Sequence, residues 1–85
     1  MKKLLNTLYV LTPESYLFCR NDNVCVQVGG EEKLAVPALT IDSIVCFGKM
    51  TVSTPLIQYC GEHGISVTFF FVFGHIMGRF YGPGI

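Results

Sequence analysis

Charge is scarce in this sequence. Only 14% of its 85 residues are Asp, Glu, Lys or Arg, and six basic residues balance six acidic ones, so the formal net charge is zero. A chain that grips nucleic acid through phosphates alone needs a basic surplus, so any such contact here must be local. Long apolar runs are missing too. The longest, Phe69 to Phe73, has five residues, where a membrane span needs roughly 18. The opening MKKLLNTLYVLT carries no small-residue cleavage site, and Asn6 and Thr7 break its apolar run. A cytoplasmic chain with no membrane partner is therefore expected. The four cysteines (Cys19, Cys25, Cys46, Cys60) include no C-x-x-C pair and no His stands at finger spacing, which argues against structural zinc.

Catalytic patterns are as thin. The glycines never place a Gly-rich turn before a helix with a Lys after it, so no phosphate loop exists. Ser53, His63 and Asp42 supply the residue types of a triad, but no nucleophile-elbow glycines surround the serine. His63 follows Glu62 near a helix end, where a polar or cationic side chain suits the helix dipole and the free carbonyls. His75 sits at a turn beside Gly74 with no acidic neighbour to orient it. Glu31 and Glu32 form a solvated turn tip. No catalytic residue and no metal ligand is assigned to this chain.

What is abundant is apolar surface, at 51% of residues. A domain this small buries only roughly 60% of the surface its unfolded chain exposes, so some of that surface should meet another chain or domain. The patterning is mostly β. Leu8 and Val10 alternate with Thr7, Tyr9 and Leu11, and Thr12-Pro13-Glu14 turns the chain. Tyr16 to Arg20 is a second strand. A three-residue loop, Asn21 to Asn23, leads to a third, with Val24, Val26 and Val28 on one face. After Gly29-Gly30 come a short strand, Lys33 to Val36, and a central one, Ser43 to Phe47, apolar on both faces. Ser53 to Gly64 is the exception: Thr54 as N-cap, Pro55 in the first turn and Gly64 as stop predict a helix with Leu56, Ile57 and Cys60 inward and Gln58 and Glu62 outward. Ser66 to Phe71 and Ile76 to Tyr81 close the chain as a hairpin. The expected fold is mainly β, a small β-sandwich or bent antiparallel sheet with one short helix.

Two features bear on partners and redox state. Val67, Phe69 and Phe71 share one face, and with Phe73 at the turn and Ile76 and Phe80 on the return strand they exceed what one short helix can cover. These six residues are the expected dimer interface. Across a three-residue loop Cys19 and Cys25 would face each other, so a disulfide is geometrically open, although four buried small hydrophobes suit a cytosolic chain better.

Four segments, LLNTLYVLTPESYL (4–17), VPALTIDSIVCFG (36–48), VSTPLIQYCGEHGISVTFF (52–70) and GHIMGRFYGP (74–83), together resemble, in order and spacing, the N-terminal domain of the CRISPR-associated spacer-acquisition integrase family, in its type I-C-like form. The resemblance implies that residues 1–85 are an N-terminal β domain, a fragment that pairs as a homodimer, whose C-terminal helical catalytic domain is absent. It implies that the full-length protein is a metal-dependent DNA endonuclease and integrase, using Mg or Mn, that works with DNA and a small adaptation partner protein in antiviral defence. The family's metal ligands lie beyond this domain and none maps onto Glu62, His63 or Asp42. The closing turn departs from relatives, with Val72-Phe73-Gly74 where a polar turn is usual and His75 where a basic residue is usual. Arg79 matches a basic position before Gly-Pro, and Lys49 follows the central strand; both are candidates for DNA or interdomain contact. The reading from the residues alone, a self-standing small β domain binding a peptide or ligand on its aromatic face, stands beside this one.

Overall fold

The computed structural model describes the backbone of residues 6–73 and 76–81, and side chains over 6–71. Eight strands and one helix follow one another as β1 (Thr7–Val10), β2 (Ser15–Arg20), β3 (Asn23–Val28), β4 (Glu31–Pro37), β5 (Ser43–Phe47), β6 (Thr51–Val52), α1 (Thr54–His63), β7 (Ser66–Phe73) and β8 (Ile76–Tyr81), with a single 3-10 turn at Ala38–Thr40. The strands form two four-stranded sheets, a first ordered β1-β5-β7-β8 and a second ordered β4-β3-β2-β6. The β-sandwich expectation holds. Its sheets are mixed, because β1 runs parallel to β5, β5 to β7, and β2 to β6.

The core lies between the sheets. From the first come Val10, Ile44, Cys46 and Val67, from the second Leu17, Val24 and Val26, with Leu56 and Cys60 of α1 closing one side. Each strand supplies them at every second position, as a pleated strand buried on one face must. Wholly burying a side chain such as Leu56 contributes about 1.5–3 kcal/mol. The single helix thereby ties β2 to β7, both of which it touches.

Local chemistry explains the boundaries, several of which differ from the sequence reading. Ser53, not Thr54, caps α1: its Oγ accepts from the Leu56 N–H at 3.2 Å, and Pro55 falls in the first turn, where its missing N–H costs nothing. Gly64 ends the helix in the left-handed region at φ 68°, as foreseen. The β2–β3 loop has two residues rather than three. Asn21 and Asp22 both take positive φ (52° and 62°), and Arg20 pairs with Asn23, the backbone of a type I′ hairpin turn.

That one-residue change decides the cysteines. Cys19 now pairs with Val24 and Cys25 with Phe18, so the two thiols sit on opposite faces and cannot join. All four cysteines are free. Finally, Val72 and Phe73 belong to β7, with Phe73 in register with Ile76. Gly74 and His75, which the sequence reading placed at the closing turn, lie outside the described residues.

Candidate functional site

No side-chain constellation of a known chemistry assembles among the described residues. Ser53 and His63 stand at opposite ends of α1, roughly 15 Å apart along a helix of ten residues. Ser53 is spent as a cap. His63 Nδ1 donates to the Tyr59 carbonyl at 2.9 Å, the helix-end role its position suggested, and its ring stacks on Tyr59 at 3.9 Å. His63 and Asp42 do line one hollow, of about 190 Å³, beside Leu39 and Ile65. Asp42 there accepts from the Asn6 N–H at 3.2 Å. Loss of surrounding water, and then the charge of Asp22, push the neighbouring Tyr59 phenol up.

Three of the four thiols are equally unreactive. Burial raises Cys46 and Cys60 to about 11, and burial also pushes Cys25 up, so none offers a thiolate at neutral pH. The described residues hold no group of three or more His, Cys, Asp or Glu able to grip a metal. They therefore do not fit the divalent ion that the family resemblance implies. Glu31 and Glu32 are taken up singly, by Lys33 and by Arg20. Hollows of about 240, 190 and 190 Å³ open at the surface, each below the roughly 300–1,000 Å³ of small-molecule sites.

Surfaces carry more information than cavities. On the outward side of the second sheet, Tyr16 and Phe18 stack at 5.5 Å, Arg20 lies 5.7 Å over Phe18, and its guanidinium reaches Glu32 at 2.7 Å. The Glu32 hydrogen bond and charge hold the Arg20 guanidinium above its ordinary range. Cys25, opposite Phe18, is wholly buried on that same side. On the outward side of the first sheet, Thr7 and Ser43 share a hydroxyl hydrogen bond at 2.9 Å, and Phe47 stacks on Phe70 at 5.1 Å. Tyr9, Val45 and Thr68 extend that face in register, uncharged as far as Phe70, beside which Arg79 of β8 stands in register.

The residues expected at a dimer interface divide. Val67, 1% exposed, is enclosed by the chain's own core. Phe69 is half-buried and packs against the core, and Phe71 is half-buried as well. Phe73, Ile76 and Phe80 extend the same face by register, with Phe80 opposite Phe69, while their side chains fall outside the described set. Lys49 is exposed, and its carbonyl accepts from the Glu14 N–H at 2.7 Å. Arg79 pairs in register with Phe70. Sequence reasoning did not single out the Tyr16–Phe18–Arg20 cluster, although aromatic, aromatic and basic residues at i, i+2 and i+4 of one strand were its available signal.

Comparison with known proteins gives this geometry a context. The family model for CRISPR associated protein Cas1 matches residues 8–84. The CRISPR-associated endonuclease Cas1 1 of Moorella thermoacetica is 40% identical over 83 residues, covering 98% of this chain and 24% of that protein. Among solved structures, a partial Cas6-RT-Cas1–Cas2 complex superposes with a TM-score of 0.76 at 17% identity, over 91% of this chain and 23% of that one. A TtCas1–DNA complex does so at 0.74 and 15%, over 93% and 26%. These structural likenesses speak to the fold. The chain spans about a quarter of the length of the proteins it matches.

Proposed function

This chain belongs to the CRISPR-associated Cas1 family, and from that premise we propose that it is the dimerisation and scaffold domain of a CRISPR adaptation integrase. The whole protein captures DNA fragments and inserts them as new spacers by metal-dependent transesterification, in the cytoplasm, bridged to a small partner of the Cas2 kind. That chemistry belongs to a helical region outside this chain, and a divalent ion, Mg or Mn, would supply there the polarisation of the phosphoryl oxygens. This chain's own task is to hold two subunits in one geometry. The observation that carries the reading is the family match across residues 8–84. The ring-and-hydroxyl outward face of the first sheet and the Phe strand supply surface for the second subunit and for the rest of the protein.

The test is the mass of the chain in solution. Sedimentation at micromolar concentration should give twice the chain mass; a strict monomer in the hundred-micromolar range would count decisively against the proposal. Lys49 and Arg79 are proposed to touch DNA or the neighbouring domain. Reversing both charges, Lys49→Glu with Arg79→Glu, should weaken DNA binding by the full-length protein and its dependence on salt. Unchanged binding would remove both residues from that role.

A further inference from the structure

α1 packs directly on β2, and two contacts fix how it lies there. At its start the Ser53 N–H donates to the Leu17 carbonyl at 2.9 Å. Further along, loss of water and then the Asp22 charge push the Tyr59 phenol up, and the two side chains share a hydrogen bond. The helix therefore runs with the strand, from Leu17 toward Asp22.

Between these anchors each element places one cysteine in the shared interface. Cys19 comes two positions after Leu17 on the core side of β2, opposite Val24, and packs against the buried cluster to which Cys60 belongs. Cys60 follows Tyr59 and is wholly enclosed. The two sulfurs sense one another, since after burial it is the charge of Cys19 that helps to hold Cys60 at about 11. The other thiols do not compete. Cys25 stands on the opposite face of the sheet from Cys19, and burial alone acts on Cys46. Cys19 is also the one cysteine that is not buried, so a small oxidant in solution reaches it first.

We propose that Cys19 and Cys60 are a redox pair, a modification site at which a hydroperoxide joins β2 to α1 through a reversible disulfide. The chemistry balances in two steps. The Cys19 sulfur attacks the O–O bond of hydrogen peroxide and keeps one oxygen as a sulfenic acid, and the other oxygen leaves as water. The Cys60 sulfur then displaces the sulfenic oxygen, which departs as a second water together with the Cys60 proton. Two thiols lose two electrons in all, and the peroxide bond takes them up. A thiol reductant reverses the change by exchange at either sulfur. A bridge that forms and breaks in this way is the kind a reducing compartment allows. It would close a loop of about forty residues, from β2 through β3, β4, β5 and β6 to α1, and so restrict the unfolded chain far more than the folded one.

The test is a peptide map of the oxidised chain. Trypsin, cutting after Arg20, Lys33, Lys49 and Arg79, leaves each of the four cysteines in a different peptide. After treatment of the folded chain with hydrogen peroxide and blocking of the remaining thiols, the peptides of Cys19 and Cys60 should appear joined, at least tenfold more often than any other pair. The intact chain should be lighter by two hydrogen atoms and still single on a non-reducing gel. Its melting midpoint should rise by roughly 10 °C and return on addition of a thiol reductant. Cys19→Ser should abolish both the joined peptide and the rise. Recovery of Cys19 only as its higher oxygen acids, or joined to Cys25, to Cys46 or to a second chain, would overturn the pair. So would a Cys19–Cys60 link that forms as readily in concentrated urea as in the folded chain.

Discussion

On the outward side of the second sheet, Arg20 bridges the Phe18 ring and Glu32, and Cys25 is buried beneath a face that carries its own charges. On the outward side of the first sheet, Phe47 and Phe70 stack among Thr7, Tyr9, Val45 and Thr68, and the charge nearest in register is Arg79 of β8, opposite Phe70. The inner faces of the two sheets are alike, both lined with Leu, Val, Ile or Cys at every second position. The contrast is therefore a property of the outsides alone. A face that supplies its own cation and anion is finished in water, whereas a face of rings and hydroxyls is finished by another protein surface. The second sheet's outside is thus finished in water, and the first sheet's is the side proposed to dock.

The largest expected effects test whether the inner faces are as equivalent as they look. Leu17→Ala in the second sheet and Ile44→Ala in the first each remove a wholly buried side chain and should each cost about 2–5 kcal/mol of unfolding free energy in urea titrations. A markedly smaller loss for one would mean that its sheet is not fully seated in the shared core. The smallest effect sharpens the outer contrast. Arg20→Ala removes an exposed ion pair and a ring contact, so the denaturation midpoint should hardly move. The same change should uncover Cys25, and the rate of labelling by a thiol reagent under native conditions should rise. Labelling that stays as slow as in the unmodified chain would show that Phe18 and the strands alone bury the thiol.

Much of the fold was legible because period-two alternation is strong wherever one face is buried. Leu8 and Val10 on one face against Tyr9 and Leu11 on the other, the central β5, and a helix ending at Gly64 all follow from pattern and turn chemistry, although the cap is Ser53 rather than the expected Thr54. What was lost has identifiable causes. β4 begins at Glu31 rather than Lys33, because an exposed edge strand tolerates charges that look like loop. β6 has two residues and one neighbour, too short for any periodicity. The Asn21-Asp22 turn was placed one residue too long, and in a strand one residue exchanges the faces, which is why a Cys19–Cys25 bridge looked open.

The site was less legible. Phe69 and Val67 were expected to face a partner, but a strand that is apolar on both sides gives no sign of which side its own core claims. The charged start of β4, Glu31-Glu32-Lys33, and the uncharged stretch from Asn6 to Leu11 were both written in the sequence. Reading them as edges required knowing that β1 and β4 end their sheets.

The parallel pairing of β1 with β5 has a consequence for the order of folding. Thr7 and Ser43, which share a hydrogen bond, are 36 positions apart, whereas β2, β3 and β4 are joined through tight turns and pair with their immediate neighbours. Loop-closure entropy favours the local meander, so the second sheet can assemble early while the first waits for its long-range partners. During synthesis at roughly 5–20 residues per second, β1 spends on the order of seconds outside the ribosome before β5 follows it. In that interval its backbone is unpaired on both sides, and the strand waits longer for its partner than β2 waits for β3 or β3 for β4.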